Sequence, residues 1–288
     1  MASPVSTVVF PAAGLGTRIL PATKAFPKEL LPLLDQPIIQ YGVEEAVAAG
    51  ITQVVLVTSP GNTMTSAHFA PSPELEAFLT ERGKTEALEK IRAVTAGADV
   101  TTVHQTEPLG LGHAVLMARD RCGDAPFAVS LPDDVIDADP PALKQMVDVF
   151  TEMNGPVILV ERVPQSAVDR YGIIDATPVR DGVYRITDMV EKPSPGSAPS
   201  DLAIVGRYIL TPDLFPILEE TGASHGGEIQ LTDALRKLLE TRPVYACEIR
   251  GAARHDVGNM LGFIQASVYF ALKRPGIAPA LRDYLKTV

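Results

Sequence analysis

The sequence predicts an α/β protein: a Rossmann-like open, mostly parallel sheet flanked by helices, with an inserted β-rich lobe and a C-terminal helical tail. It carries short, continuous apolar runs: STVVF (6–10), VVLVT (54–58), FAVSL (127–131) and VILVE (157–161). Such runs are typical of strands covered on both faces, as parallel strands are. Segments at helical spacing fall between them, and a βαβα order puts helices on both faces of a parallel sheet. After about residue 161 the texture changes, and alternating runs replace continuous ones.

Taken in order, residues 6–10 form a β-branched strand that ends at a glycine turn. Residues 38–49 (IIQYGVEEAVAA) read as a helix stopped by Gly50. Strand 54–58 is followed by 73–96, at helical spacing with many charges. Residues 100–104 are a strand, 112–121 a helix, 127–131 a strand, 141–152 a helix and 157–161 a strand. YGIIDATPVRDGVYRITDMVEKP (171–193) reads as a hairpin around the turn pair Asp181-Gly182. SPGSAPS (194–200) is a loop, 202–210 a strand, 211–220 and 230–241 helices, and 244–249 a strand. Residues 254–259 read as a polar turn and 260–273 as a helix. No internal repeat or sharp composition break divides the chain, so 1–288 reads as one domain.

With 288 residues, 46% of them hydrophobic, the chain can bury a sizeable core, and disorder and disulfide scaffolds drop out. The formal net charge of -10 argues against nucleic acid or an anionic membrane as partner, because both need a broad basic surface. It leaves room for a small anion in a locally basic cleft. Cys122 and Cys247 form no CxxC pair and read as small packing residues. MASPVSTVVF lacks the basic and apolar regions of a signal peptide, and no stretch reaches the ~18 apolar residues of a membrane span. A cytoplasmic protein is expected.

The stretch FPAAGLGTRILPATKAFPKELLPL (10–33) sets a glycine turn after the first strand and spreads Arg18, Lys24 and Lys28 beyond it. A dinucleotide fingerprint needs a third glycine, and a Walker loop needs Gly-Lys; both fail at Ile19. What remains is an anion nest of the backbone amides of 13–17, with the Arg18 fork matched to phosphate oxygens. Pro21 and Pro27 are expected to keep the next segment extended, so that it wraps the ligand and brings Lys28 back to it. Lys24 reads equally well as a solvated residue. Cations spread in this way surround a long polyphosphate.

Further along, Gln105 offers both a donor and an acceptor, as needed to read one edge of a base, and Gly110 and Gly112 let the backbone approach a flat ring. In SLPDDVID, Asp133 and Asp134 follow a strand, where open α/β sheets bind ligands, and hard oxygens beside polyphosphate suit Mg²⁺. Glu191 and Lys192 in MVEKP would point to opposite faces of a strand, unless Pro193 ends it and both face the cleft. The histidines lack ligand spacing and read as structural.

AAGLGTRILPATKAFPKELLPLLDQPIIQY resembles the signature of the sugar nucleotidyltransferases, which make nucleoside-diphosphate sugars. QTEPLGLGHAV, YGII, MVEKP, AIVGRYIL, GGEIQLTDAL and HDVGNMLGF follow in the family's order, so the resemblance spans nearly the whole chain. It implies transfer of a uridylyl group from UTP to α-D-glucose 1-phosphate, with UDP-glucose and pyrophosphate as products. It also implies a nucleotide-binding part over about 1–161, a sugar-side lobe over about 162–250 and a tail over about 251–288. Ala13, Gly14, Gly16 and Thr17 would cradle phosphate, while Gln105 and Gly110 bind uracil. Gly172, Glu191, Val205 and Glu228 would hold the sugar. Arg18, Lys28 and Lys192 would serve catalysis, and Asp133 and Asp256 would bind Mg²⁺. The family is usually a homo-oligomer, dimer or tetramer. Two alternatives stay open: thymidylyl transfer, because thymine shares uracil's pairing edge, and a non-catalytic sugar-nucleotide-binding paralogue.

Overall fold

The computed structural model describes residues 3–194 and 196–288; one position of the predicted 194–200 loop lies outside them. Strand β1 (Thr7–Ala12) leads to two short strands that pair with each other, β2 (Pro32–Leu33) and β3 (Gln36–Pro37). Next come α1 (Ile38–Ala48), β4 (Gln53–Thr58), α2 (Met64–His68), α3 (Pro73–Glu81), α4 (Thr85–Thr95) and β5 (Asp99–His104). Helices α5 (Leu111–Met117) and α6 (Arg119–Cys122) precede β6 (Phe127–Ser130) and β7 (Asp134–Ala138), and α7 (Ala142–Met153) precedes β8 (Val157–Arg162). Strands β9 (Gly172–Arg180), β10 (Val183–Glu191) and β11 (Leu202–Leu210) follow. The chain ends with α8 (Leu214–Glu220), α9 (Leu231–Leu238), β12 (Tyr245–Glu248), β13 (Ala252–Asp256), α10 (Met260–Lys273) and α11 (Ala278–Leu285).

One sheet takes nine of these strands in the order β5-β4-β1-β6-β11-β8-β12-β10-β9. From β5 to β6 every neighbour is parallel. Beyond β6 the sheet is mixed, which corrects the mostly parallel expectation. Strand β11 returns from the hairpin and inserts antiparallel between β6 and β8, and only β8·β12 is parallel in that half. The hairpin itself turns at Asp181-Gly182, with Gly182 at φ 72°, and extends the same sheet through β12.

Alternation along β1 explains how helices cover both faces. Val9 joins a cluster with α5, α8 and α9, whereas Val8 and Phe10 join one with α1 and α7. The predicted helix 73–96 is two helices, broken at Gly83, whose φ of 62° a helix does not accommodate. Residues 17–30 form three 3₁₀ turns rather than an extended segment. Proline fixes φ but leaves ψ free, and Pro21 and Pro27 stand at the starts of two of these turns. The predicted polar turn 254–259 is half strand: 254–256 belong to β13, which pairs antiparallel with β7 and sets Asp256 opposite Asp134, and 257–259 form the turn.

Arg207 is the largest fully buried side chain, 1% exposed in the middle of the wholly buried β11. Its Nη2 lies 2.8 Å from Glu45 Oε2 on α1 and donates also to the Asp134 carbonyl at 2.8 Å; Nη1 donates to the Leu131 carbonyl at 3.0 Å. Glu45 Oε1 accepts from the Leu143 amide at the start of α7. Breaking a buried pair from one side leaves a bare charge, so Arg207→Met is expected to lose about 3–5 kcal/mol of unfolding free energy in a urea titration. The double change with Glu45→Met should cost less than the sum of the singles; strict additivity would show that the two side chains do not act as a pair.

Candidate active site

The loop between β6 and β7 carries Asp133 at the carboxyl end of the parallel strands, and the β7·β13 ladder brings Asp256 beside it. The Val257 amide donates to the Asp133 carbonyl at 2.9 Å, which closes the arrangement. A Cβ on Gly258 would sit 2.9 Å from Asp133 Oδ2 and 3.1 Å from Asp256 Oδ1. Glycine therefore keeps open a space that both carboxylates reach. Two hard oxygen donors with room for waters fit a hard divalent cation. Among the described residues no cluster of three or more His, Cys, Asp or Glu side chains forms a metal cage.

Asp256 is fixed by its own turn: Oδ1 accepts from the Gly258 amide and Oδ2 from Asn259, which also caps α10 through the Gly262 amide. Asp133 Oδ2 accepts from Lys28 Nζ at 2.6 Å. Burial works to raise the Asp133 carboxyl, but the Lys28 ammonium outweighs it and holds it below the ordinary range. Burial likewise works to lower Lys28, and the Asp133 and Glu29 carboxylates raise it above its usual value. Lys28 thus puts a positive charge on a carboxylate that would also meet a metal.

Arg18, Asp133, Gly172, Glu191, Lys192 and Asp256 line one central cavity. Arg18 has no hydrogen bond or ion pair with any described residue. Lys192 adopts φ 45°, a left-handed conformation at the end of β10, and so turns onto the same side as Glu191. Its Nζ lies 3.1 Å from Glu191 Oε1, whose other oxygen accepts from Thr232 at 2.7 Å. A side chain at Gly172 would come within 3.2 Å of Glu191 Oε2, so glycine there leaves the Glu191 carboxylate accessible.

The glycine loop follows β1. Gly14 lines a second cavity, and Gly16 (φ 62°) packs on Thr23 and Lys28, where a Cβ would sit a tight 3.1 Å from the Lys28 side chain. Ala13 and Thr17 flank them in the loop sequence. Gln105 is buried, and its Nε2 donates to the Gly110 carbonyl at 3.0 Å. Gly110 and Gly112 approach the segment Glu228–Ile229 rather than leaving an open face: a Cβ on Gly110 would be 2.6 Å from Glu228 Cβ. Val205 points into the core at 1% exposure, while its neighbour Gly206 lines the central cavity. Gln105, Gly110, Val205 and Glu228 lie outside the central cavity wall.

Arg254 was not anticipated. Its Nε donates to Asp134 Oδ1 at 2.7 Å, its Nη1 pairs with Glu161, and its guanidinium lies 5.2 Å from the centre of the Tyr171 ring. Asp134 Oδ2 accepts from the Gly206 amide. This network ties the carboxylate loop to Tyr171, Glu161 and Gly206. A sequence cue existed only in hindsight: Arg207 and Arg254 are isolated cations within buried or half-buried strands.

A family model described as nucleotidyl transferase matches residues 8–272. The chain is 49% identical over 282 residues to the UTP–glucose-1-phosphate uridylyltransferase of Bacillus subtilis (strain 168), covering 98% of this chain and 96% of the relative. A crystal structure of UDP-glucose pyrophosphorylase complexed with UDP-glucose superposes with TM-score 0.87 at 41% identity, covering 94% of this chain and 100% of that one. A UTP-bound UGPase from Acinetobacter baumannii superposes with TM-score 0.90 at 38% identity, covering 98% of each.

Glu29 is buried at 1% exposure, and neither carboxyl oxygen bonds another residue. Burial pushes its carboxyl up to about 7, against the pull of Lys28. The folded chain then keeps a proton that the unfolded chain releases near 4.5, so this group's contribution to stability is full below 4.5 and is lost as pH rises through about 7. Glu29→Gln removes that loss. Across this window the wild-type Tm should fall relative to that of the variant; a constant gap between the two would contradict the assignment.

Proposed function

The chain belongs to the nucleotidyl transferase family, and from that premise we propose that it transfers the uridylyl group of UTP to α-D-glucose 1-phosphate, giving UDP-glucose and pyrophosphate. The cavity in which Arg18, Asp133, Lys192 and Asp256 meet carries this reading. Two polyanions must come together there, and the wall offers cations and a carboxylate pair for a metal. The similarity to a protein named as a uridylyltransferase supports UTP over dTTP. The presence of Arg18, Lys28, Asp133, Lys192 and Asp256 counts against a non-catalytic role.

In this reading a phosphate oxygen of glucose 1-phosphate attacks the α-phosphorus of UTP. The bond from that phosphorus to the bridging oxygen breaks, and pyrophosphate leaves with the electron pair. The nucleophile is already an anion, so no strong base is needed. The amides of Ala13, Gly14, Gly16 and Thr17 cradle phosphate oxygens. Arg18 and Lys28 neutralise the triphosphate, and Lys192 orients the attacking phosphate. Gln105 and Gly110 read the uracil from one side. Gly172 and Glu191 bound the sugar in the central cavity. Val205, its side chain in the core, serves through backbone alone, and Glu228 serves from beyond the cavity wall. Asp133 and Asp256 would hold Mg²⁺, which when bound would supply positive charge to screen the phosphates.

The same reading assigns nucleotide binding to about 1–161, the sugar to about 162–250 and the tail to about 251–288. Among the described residues no helix is long and apolar enough to cross a membrane, and we place the enzyme in the cytoplasm. One side of α10 packs on the cluster around Leu33 and Ile38, while Met260, Leu261 and Ile264 stay exposed. That face suits a homo-oligomer, dimer or tetramer, which light scattering would register.

Pyrophosphate release with glucose 1-phosphate and Mg²⁺, compared across UTP, dTTP, ATP, GTP and CTP, tests the reaction. UTP should lead clearly. Equal or faster release with dTTP would make the enzyme a thymidylyltransferase, and no release from folded protein would make it a binding paralogue. Arg18→Ala and Lys192→Ala should each lose about 10²–10³ in rate without unfolding; near-wild-type turnover in either removes its assigned role.

A further inference from the structure

The cations on the wall of the central cavity are not equally committed. Arg254 is taken by Asp134 and Glu161, and the Lys192 ammonium lies 3.1 Å from Glu191. Arg18 and Arg170 line the same cavity, and neither bonds or pairs with any described residue. They come from distant parts of the chain. Arg18 belongs to the turn after β1, and Arg170 ends the 3₁₀ turn Gln165–Arg170 that leads into β9. The backbone of this second turn is anchored. Val168 is fully buried in a cluster with Val163, Ile173 and Ala203, and its carbonyl accepts from the Tyr171 amide at 3.3 Å. The Tyr171 carbonyl in turn accepts from the Lys192 amide at 3.0 Å, and Gly172 pairs with Glu191. Arg170 is thus mounted next to the strand pairing that carries Glu191 and Lys192, with its own side chain exposed and unpaired among the described residues.

Building on the uridylyl-transfer reading, we propose that Arg170 binds the phosphate of glucose 1-phosphate and, together with Lys192, holds it for attack. Two anions must enter the cavity, and two guanidiniums stand free to receive them. Arg18 serves the triphosphate in that reading, which leaves Arg170 for the sugar phosphate. A planar guanidinium gives two parallel N–H bonds to one phosphate and so fixes its orientation as well as its distance. Lys192 acts as a point charge, and it shares that charge with Glu191. With two phosphate oxygens on Arg170, the third is free to form the bond to the α-phosphorus while the bond from that phosphorus to pyrophosphate breaks.

The test is steady-state kinetics of the full chain with UTP, glucose 1-phosphate and Mg²⁺. Arg170→Ala should raise KM for glucose 1-phosphate about tenfold or more, while KM for UTP stays within about twofold. Arg170→Gln can still hydrogen-bond sugar hydroxyls but carries no charge, and should fall as far as Arg170→Ala. Arg170→Lys should recover part of the loss through its charge. In the reverse direction KM for UDP-glucose should rise and KM for pyrophosphate should not. An unchanged KM for glucose 1-phosphate in Arg170→Ala, equal rises for both substrates, or wild-type behaviour in Arg170→Gln overturns the proposal and leaves uridylyl transfer standing. A folded wild-type enzyme that releases no pyrophosphate from these substrates overturns both.

Discussion

The buried pair of Arg207 and Glu45 fixes the loop on which the site stands. Taking two charges out of water is costly, and their attraction repays this only when the remaining donors also find partners. Here they do. Arg207 reaches two oxygens of Glu45 and the carbonyls of Leu131, Gly206 and Asp134, while Glu45 also takes the Leu143 amide. An apolar residue of the same volume would fill the space but leave the 131–134 carbonyls unheld. The pair joins α1, β11 and α7 to one short loop, and that loop presents Asp133.

A second constraint follows from the first. Placing Asp133, Asp134 and Asp256 close together invites repulsion, and each is handled differently. Burial, with Asp133 and Asp256 nearby, pushes the Asp134 carboxyl up, and Arg254 and Arg207 offset only part of that rise. Lys28 keeps Asp133 ionised. Asp256 is held by the Gly258 amide and Asn259. Asp133 is thus ionised and its loop held by hydrogen bonds before any ligand arrives, which is the preorganisation that electrostatic catalysis needs. In the proposed reaction Lys28 would divide its charge between Asp133 and incoming phosphate. That division suits a site where a cation and a polyanion enter together.

Local pattern made the first half of the fold legible. Continuous apolar runs marked β4, β6 and β8, and Asp181-Gly182 marked the hairpin. Long-range pairing was not legible: nothing in LAIVGRYIL states that β11 enters between β6 and β8 or that its arginine is buried. The ladder β7·β13 escaped notice because DVIDA and AARHD are short and polar, and they become strands only by pairing with each other. Within the site, the glycine loop, Asp133 and the Glu191-Lys192 pair stood out because strand ends and odd spacing expose them. Their supports, Arg254 and Gly258, did not, because their importance lies in what they touch. Gly110 showed the converse: its glycine was legible, but the partner it approaches is the chain's own segment 228–229.

In the proposed reaction Asp133 and Asp256 together hold one divalent cation beside the nucleotide. Mn²⁺ bound per chain, measured by electron paramagnetic resonance with a non-reacting UTP analogue, tests it most directly. One tightly held ion is expected in the wild-type chain, with a strong loss of binding in both Asp133→Asn and Asp256→Asn while the analogue itself still binds. Undiminished Mn²⁺ binding in either variant would contradict it.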